Sequence, residues 1–210
     1  VLGSWAAQHH GDVVVIPSCV APEDYLPKTS YALHDPPRLG WIGSRGNEAC
    51  LLPVAGAIEE IHRRTGARLT LVGTTRRSLG RLEALVDRIA WSPHTARTAL
   101  ADIDIGLMPL PTTPYSLGKC GYKLLQYGAA GVPSVATPIG VNADILRQFR
   151  MPAASGVDEW TEALRDLLDG SDARRERLGR GARAVVSRRY SYDAWLPRWA
   201  AALELPAVPS

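Results

Sequence analysis

The chain has 210 residues, 46% of them hydrophobic and 21% charged, with a net charge of +3, a balance that suits a globular protein with a sizeable core. No apolar run approaches the ~20 residues that span a bilayer, and three scattered cysteines (Cys19, Cys50, Cys120) are too few for a disulfide framework or a zinc site, which points to a reducing, cytoplasmic compartment. Of 24 basic residues three are lysines and the rest arginines, without the interleaved aromatics of a nucleic-acid surface, so no nucleic-acid partner is expected.

The first ten residues have neither a basic leader nor a long apolar stretch and do not read as a signal peptide. Asp12–Ser18 reads as a strand with no helix before it, and Ala21–Lys28 and Asp35–Pro37 have linker composition. From Arg38 the signals alternate. Arg38–Gly43 is an apolar strand ending on glycine. Asn47 can cap a helix whose start Pro53 moves toward Leu52, with Leu51, Leu52, Ala55, Ile58 and Ile61 on its apolar side and Gly66 as its stop. Arg68–Gly73 is a second strand, Val86–Trp91 a third and Ile105–Leu110 a fourth, with a short helix over Thr95–Ala101 between the last two.

Gly118–Thr137 carries the most chemistry. It reads as a glycine-rich loop, two turns of helix, a stop at Gly131-Val132-Pro133, and a short buried strand from Ser134 to Thr137. Lys119 and Lys123, two of the three lysines, stand four residues apart where the loop becomes a helix. A helix start offers unpaired N–H groups and a partial positive charge, so the two ammonium groups there suit a diphosphate. With no ligand bound these side chains are expected to be solvated. Beyond lie a helix over Val141–Gln148, a short strand over Met151–Ala154, and helices over Val157–Leu168, Ala173–Arg189 and Tyr192–Leu203. The arginines Arg174, Arg175, Arg177, Arg180, Arg183, Arg188 and Arg189 have the spacing of a solvated helix face, and Met108, Trp160, Trp195 and Trp199 read as packing.

Short apolar strands separated by helices predict an α/β fold, a Rossmann-like, doubly wound parallel sheet covered on both faces. Ligands bind such sheets at the carboxyl ends of the strands, which makes the loops after Gly43, Gly73, Trp91 and Leu110 candidate walls. A dinucleotide oxidoreductase is excluded, because Gly43-Ser44-Arg45-Gly46 is not Gly-x-Gly-x-x-Gly. Ser134 lacks a nucleophile elbow, which excludes a hydrolase of that kind.

The ordered set Val15-Ile16-Pro17-Ser18, Gly40-Trp41-Ile42-Gly43-Ser44, Leu71-Val72-Gly73, Asp102 to Leu110, Gly118 to Thr137 and Pro138-Ile139-Gly140-Val141-Asn142 resembles the C-terminal, donor-binding domain of retaining GT-B glycosyltransferases of the glycosyl transferase group 1 (family 4) type. The resemblance covers nearly all of residues 12 to 203 and implies one half of a GT-B fold with C-terminal helices. It implies residues 1–37 as the tail of an N-terminal domain plus linker, 38–190 as the nucleotide-sugar-binding domain, and 191–210 as a C-terminal helix and tail. Partners then are a nucleotide-sugar such as a UDP- or GDP-hexose, a glycan, lipid or small-molecule acceptor, and the chain's own N-terminal domain; the whole protein could lie peripherally on a membrane.

Residue by residue, the resemblance implies donor-phosphate binding by Arg45, Lys119 and Lys123, and ribose or nucleotide binding by Gln126, Trp91, Ser92 and Gly73. Gly118, Cys120, Gly121 and Tyr122 form its donor loop. Catalytic groups and most acceptor contacts are expected in the N-terminal domain, with no metal and no cofactor beyond the nucleotide-sugar substrate. One departure matters. The family's two glutamates, eight positions apart, are replaced by Gly118 and Gln126, and no glutamate occurs between Glu83 and Glu159. An amide can still accept from a ribose hydroxyl, without the charge. The loss also admits an alternative, a non-catalytic nucleotide- or sugar-phosphate-binding module.

Overall fold

A computed structural model describes residues 2–73 and 79–205, and at Arg45 the backbone alone. The strands β1 (Arg38–Gly43), β2 (Arg68–Gly73), β3 (Val86–Ala90), β4 (Ile105–Met108) and β5 (Ser134–Ala136) form one parallel sheet in the order β3-β2-β1-β4-β5. The helices are α1 (Leu2–Ala6), α2 (Ala55–Thr65), α3 (Pro93–Thr98), α4 (Pro114–Leu117), α5 (Tyr122–Ala130), α6 (Val141–Phe149), α7 (Val157–Asp169), α8 (Asp172–Arg189) and α9 (Tyr192–Ala202). The order of strands reverses between β1 and β4, so the ends of those two strands splay apart and open a crevice there.

Strand residues alternate between two cores, one on each face. Leu39, Trp41, Leu69 and Leu71 meet Ile58 and Ile61 of α2 and Trp160, Leu164 and Leu167 of α7. Ile42 and Val72 face the other way, toward Leu124, Leu125 and Tyr127 of α5, Ile145 and Phe149 of α6, and Val186 of α8. Gly106 on β4 makes room for α5, since a Cβ there would lie 2.7 Å from the Tyr127 ring. Burial on both faces explains why these strands read as apolar runs.

Several expectations need correction. Asp12–Ser18 forms no strand, and Val14 and Val15 stay exposed; an apolar run becomes a strand only beside a free edge, and the chain here has only the isolated bridge Val20–Ser191. Arg45–Val54 winds as 3-10 turns, and α2 begins only at Ala55, because Pro53 cannot donate within an α-helix and crowds the preceding turn. Asn47 therefore caps no α-helix. Met151–Ala154 contributes one bridge, Ala153 to Ala136, rather than a strand. Arg175 is buried, not solvated: its guanidinium donates to the carbonyls of Tyr31 (2.9 Å), Leu167 (2.9 Å), Leu168 (3.3 Å) and Gly170 (2.5 Å) and pairs with Asp172. Those carbonyls include orphaned acceptors at the end of α7, which a fork of five donors satisfies. Trp160 and Met108 are buried as packing residues, whereas Trp199 is exposed on α9.

The segment from Cys19 to Pro37, though almost free of regular structure, is bound to the sheet domain. Leu26 N–H donates to Arg97 O (3.0 Å) and Lys28 N–H to Ala130 O (2.8 Å). Tyr31 Oη donates to Gly131 O (2.9 Å). Asp104, buried just before β4, accepts from the amides of Arg38 (2.8 Å) and His34 (3.2 Å), and its other oxygen meets His34 Nδ1 at 2.9 Å and Lys28 Nζ at 3.6 Å. Burial lowers the Lys28 pKa, an effect opposed by the Asp104 charge.

Candidate functional site

The crevice between β1 and β4 is built from the strand ends upward. β1 ends on Gly43, where a Cβ would lie 2.6 Å from the Trp41 ring and 2.9 Å from Lys123 Cε, so a glycine is what lets α5 approach the strand. Ser44 and Asn47 then form a polar link: Asn47 Nδ2 donates to Ser44 Oγ (3.0 Å), and Asn47 Oδ1 accepts from Lys119 Nζ (3.3 Å). Opposite, Gly121 takes the left-handed conformation (φ 71°) that turns the loop into α5. The amides of Cys120, Gly121, Tyr122 and Lys123 make no hydrogen bond within the described residues. A helix start with four free donors and two ammonium groups attracts anions.

Lys119 and Lys123 differ in setting. Lys119 Nζ also donates to Tyr115 Oη (3.1 Å), on an exposed side chain. Lys123 is half-buried rather than freely solvated, the state expected from the sequence: its Nζ lies 4.9 Å from the Trp41 ring centroid, its stem packs at Gly43, and no acceptor among the described residues bonds it. Burial pulls its pKa below the ordinary lysine value, with Cys50 acting the other way and the like charge of Lys119 adding to the lowering. Both lysines border a small cavity with Trp41, Asn47, Cys50 and Met108.

Beside them opens a cleft of about 580 Å³, within the range of small-molecule sites. Gly43, Ser44 and Ile42 form its floor, Tyr122 and Gln126 of α5 one wall, and Trp91, Pro93, Ala96 and Arg97 another; Asp24, Tyr25 and Tyr192 close the outer side. Gln126 is buried and its Nε2 donates to Tyr25 Oη (3.3 Å), which leaves the amide oxygen without a hydrogen-bond partner among the described residues. Burial, reinforced by the Tyr25 phenol, pushes the Tyr122 pKa up to about 12, so this hydroxyl stays protonated and able to donate.

Gly43 thus lines the cleft that holds Trp91, Tyr122 and Gln126 and packs against Lys123, which borders the cavity holding both lysines. Gly73 lies outside both linings but fixes Trp91, whose amide donates to Gly73 O (3.0 Å). Ser92 is occupied as a helix cap: its Oγ accepts from Thr95 N (3.0 Å) while Thr95 Oγ1 accepts from Ser92 N (2.8 Å). Gly118 and the exposed Cys120 lie in the loop but line neither space. The Arg45 side chain lies outside the described residues. The cleft residues Asp24, Tyr25, Arg97 and Tyr192, and the Asn47 link, were not legible beforehand; Asp24 and Tyr25 sit in a segment of linker composition that masks them. Among the described residues no three His, Cys, Asp or Glu side chains gather as a metal site, and no helix is long and apolar enough to cross a membrane.

A family model described as Glycosyl transferases group 1 matches residues 36–170, which takes in every strand, both lysines and the cleft residues from Ile42 to Gln126. The chain belongs to that family. Solved structures agree in fold. A glycosyltransferase from Rickettsia africae ESF-5 superposes with a TM-score of 0.73 at 13% identity, over 96% of this chain and 62% of that one. AviGT4, a glycosyltransferase involved in avilamycin A biosynthesis, gives 0.65 at 22% identity, over 91% and 58%. The C-terminal domain of a glycosyl transferase group 1 family protein (LpcC) from Francisella tularensis gives 0.54 at 14% identity, over 82% and 98%. The chain therefore spans 58% of AviGT4 but nearly all of the separate LpcC domain. No curated protein sequence matches it significantly. The sheet is that of the Rossmann-like domains of GT-B glycosyltransferases.

Proposed function

We propose that this chain is the donor-binding domain of a glycosyltransferase that moves a sugar, a hexose in kind, from a nucleotide-sugar to an acceptor with retention of anomeric configuration. The observation that carries the reading is the junction at Gly43, where an aromatic-walled cleft opens directly beside a cationic helix start with four free amides. The cleft suits a nucleoside, with Trp91 beside the base, Gln126 Oε1 accepting from a ribose hydroxyl, and Tyr122 Oη donating. The diphosphate then falls to the amides of α5, to Lys119 and Lys123, and to Arg45. Charge that develops on the leaving diphosphate is met by groups already in place, which is how a site without metal or further cofactor favours departure of the nucleotide. Residues 38–190 carry this role, residues 1–37 and 191–210 flank it, and a second domain supplies the catalytic and acceptor contacts in the cytoplasm.

Calorimetric titration with nucleoside diphosphates and their sugars tests the reading. Binding is expected, and Lys119→Ala, Lys123→Ala or Arg45→Ala should each weaken it by about 1–3 kcal/mol, the scale of one charge-assisted hydrogen bond to phosphate. If all three variants bind like the parent, the diphosphate site is elsewhere. The neutral Gly118 and Gln126 favour one second reading, a nucleotide- or sugar-phosphate-binding module without turnover. Turnover of a nucleotide-sugar by the whole polypeptide separates the two.

A further inference from the structure

Within the donor site proposed above, and resting on that reading, we infer that the outer end of the cleft selects guanine, read by Arg97 and Asp24. Three observations converge there. Asp24, on the Cys19–Pro37 segment, and Arg97, on α3, meet across the cleft wall as an ion pair with Arg97 Nη2 2.8 Å from Asp24 Oδ2. The pair is exposed on both sides, at 50% for Arg97 and 39% for Asp24, so it adds little to stability. Asp24 Oδ1 and the remaining guanidinium nitrogens have no protein partner among the described residues. Finally, the indole of Trp91, which lines the same cleft, is 47% exposed and offers an open face for a base to stack on.

The choice of base follows from the order of hydrogen-bonding groups. A guanidinium N–H beside a carboxylate presents donor, acceptor, acceptor in a row. Guanine presents the complement along its Watson–Crick edge: O6 accepts, N1–H donates and N2–H donates. Uracil places a carbonyl where the second carboxylate oxygen needs a donor. Cytosine and adenine begin with an amino group, which faces the guanidinium N–H donor to donor, and follow it with a ring acceptor that faces the carboxylate. Reversing them end for end still sets the ring acceptor against the carboxylate, and for adenine leaves a C–H at the guanidinium. Guanine alone satisfies all three positions, with two of its bonds charge-assisted by the carboxylate. Inosine is the informative neighbour, since it lacks only the 2-amino group.

The test is a calorimetric titration of the protein with GDP, IDP, UDP, ADP and CDP, repeated with Asp24→Asn. GDP should bind tightest and IDP about tenfold more weakly, the scale of one hydrogen bond to a charged group. In Asp24→Asn, whose melting should match the parent because the side chain is exposed, the GDP-to-IDP ratio should fall toward one, because the amide keeps a single acceptor and sets an N–H donor against one of the two guanine donors. If UDP, ADP or CDP binds as tightly as GDP, or if Asp24→Asn keeps the parent's GDP-to-IDP ratio, the guanine assignment is overturned while the donor site stands. If no diphosphate binds, the donor site and the guanine assignment fall together.

Discussion

Lys123 Nζ lies 4.9 Å from the centre of the Trp41 ring, so one side chain of α5 both anchors the helix to β1 and holds a charge beside the crevice. Lys119, four residues earlier, bonds to Asn47 and Tyr115 and lies 4.3 Å from the centroid of the Tyr115 ring, but that ring is exposed whereas Trp41 is buried. The two lysines should therefore separate by stability. Lys123→Ala should lower unfolding free energy by about 1 kcal/mol, because it removes the stem packed at Gly43 together with the contact to the buried Trp41 ring, while Lys119→Ala, whose aromatic partner is exposed, should lower the urea midpoint less. Equal midpoints for both variants would show that the Trp41 interaction contributes nothing in solution.

The lowered pKa of Lys123 predicts opposite pH trends for binding and for folding. Between the folded-state value and the ordinary lysine value, the unfolded chain holds a proton that the folded chain lacks, so stability without ligand should rise with pH across that window. The burial penalty is present in full below the folded value. Diphosphate binding needs the ammonium form and should weaken as pH rises through the same window, below the ~10.4 of an unperturbed lysine. Titrations and melting curves from about pH 7 to about pH 10 will show both trends. Lys123→Met should flatten both; a variant that keeps the parent's pH dependence would assign the effect to another group.

Gln126 donates to Tyr25 and leaves its oxygen to the cleft. Gln126→Glu makes that acceptor charged, which roughly doubles the strength of a hydrogen bond from a ribose hydroxyl. The variant should bind a ribonucleoside diphosphate more tightly and gain less with the 2′-deoxy form. It should also melt lower without ligand, because the position is buried and a carboxylate is costly there. No change with either nucleotide would remove ribose recognition from this residue.

Gly179 of α8 lies against the backbone of Gly131 and the ring of Tyr31, and a Cβ there would overlap the Gly131 carbonyl oxygen. Gly179→Ala should destabilise the protein by about 1–3 kcal/mol, as overpacking does, despite the gain in helix propensity. The obstacle is backbone, which cannot rotate aside. A melting temperature equal to the parent's would mean that α8 and the Gly131 turn sit further apart in solution.

The parallel sheet was legible because β1, β2, β4 and β5 are buried in their middles on both faces and carry mostly apolar residues, as in Arg68–Gly73, whereas the edge strand β3, with Asp87 and Arg88, is only partly buried. The same rule misread Asp12–Ser18, where hydrophobicity alone cannot supply an edge to pair with. The helix start with Lys119 and Lys123 could be read from local spacing. Arg175 could not, since its neighbours Arg174 and Arg177 have the same chemistry and only the end of α7 distinguishes it. Asp24, Tyr25 and Arg97 come together from parts of the chain some 70 residues apart, a proximity that no local pattern encodes.

The Cys19–Pro37 segment has little regular structure, yet the amides of Leu26 and Lys28 donate to α3 and α5, and those of His34 and of Arg38, where the segment enters β1, both end on the Asp104 carboxylate. Protons on these four amides can reach solvent only when the segment detaches from two helices and a buried charge at once. In deuterated water they should exchange on the timescale of the sheet itself. The amides of Cys120 to Lys123, at the start of a regular helix, should exchange at once and slow only when an anion sits on them.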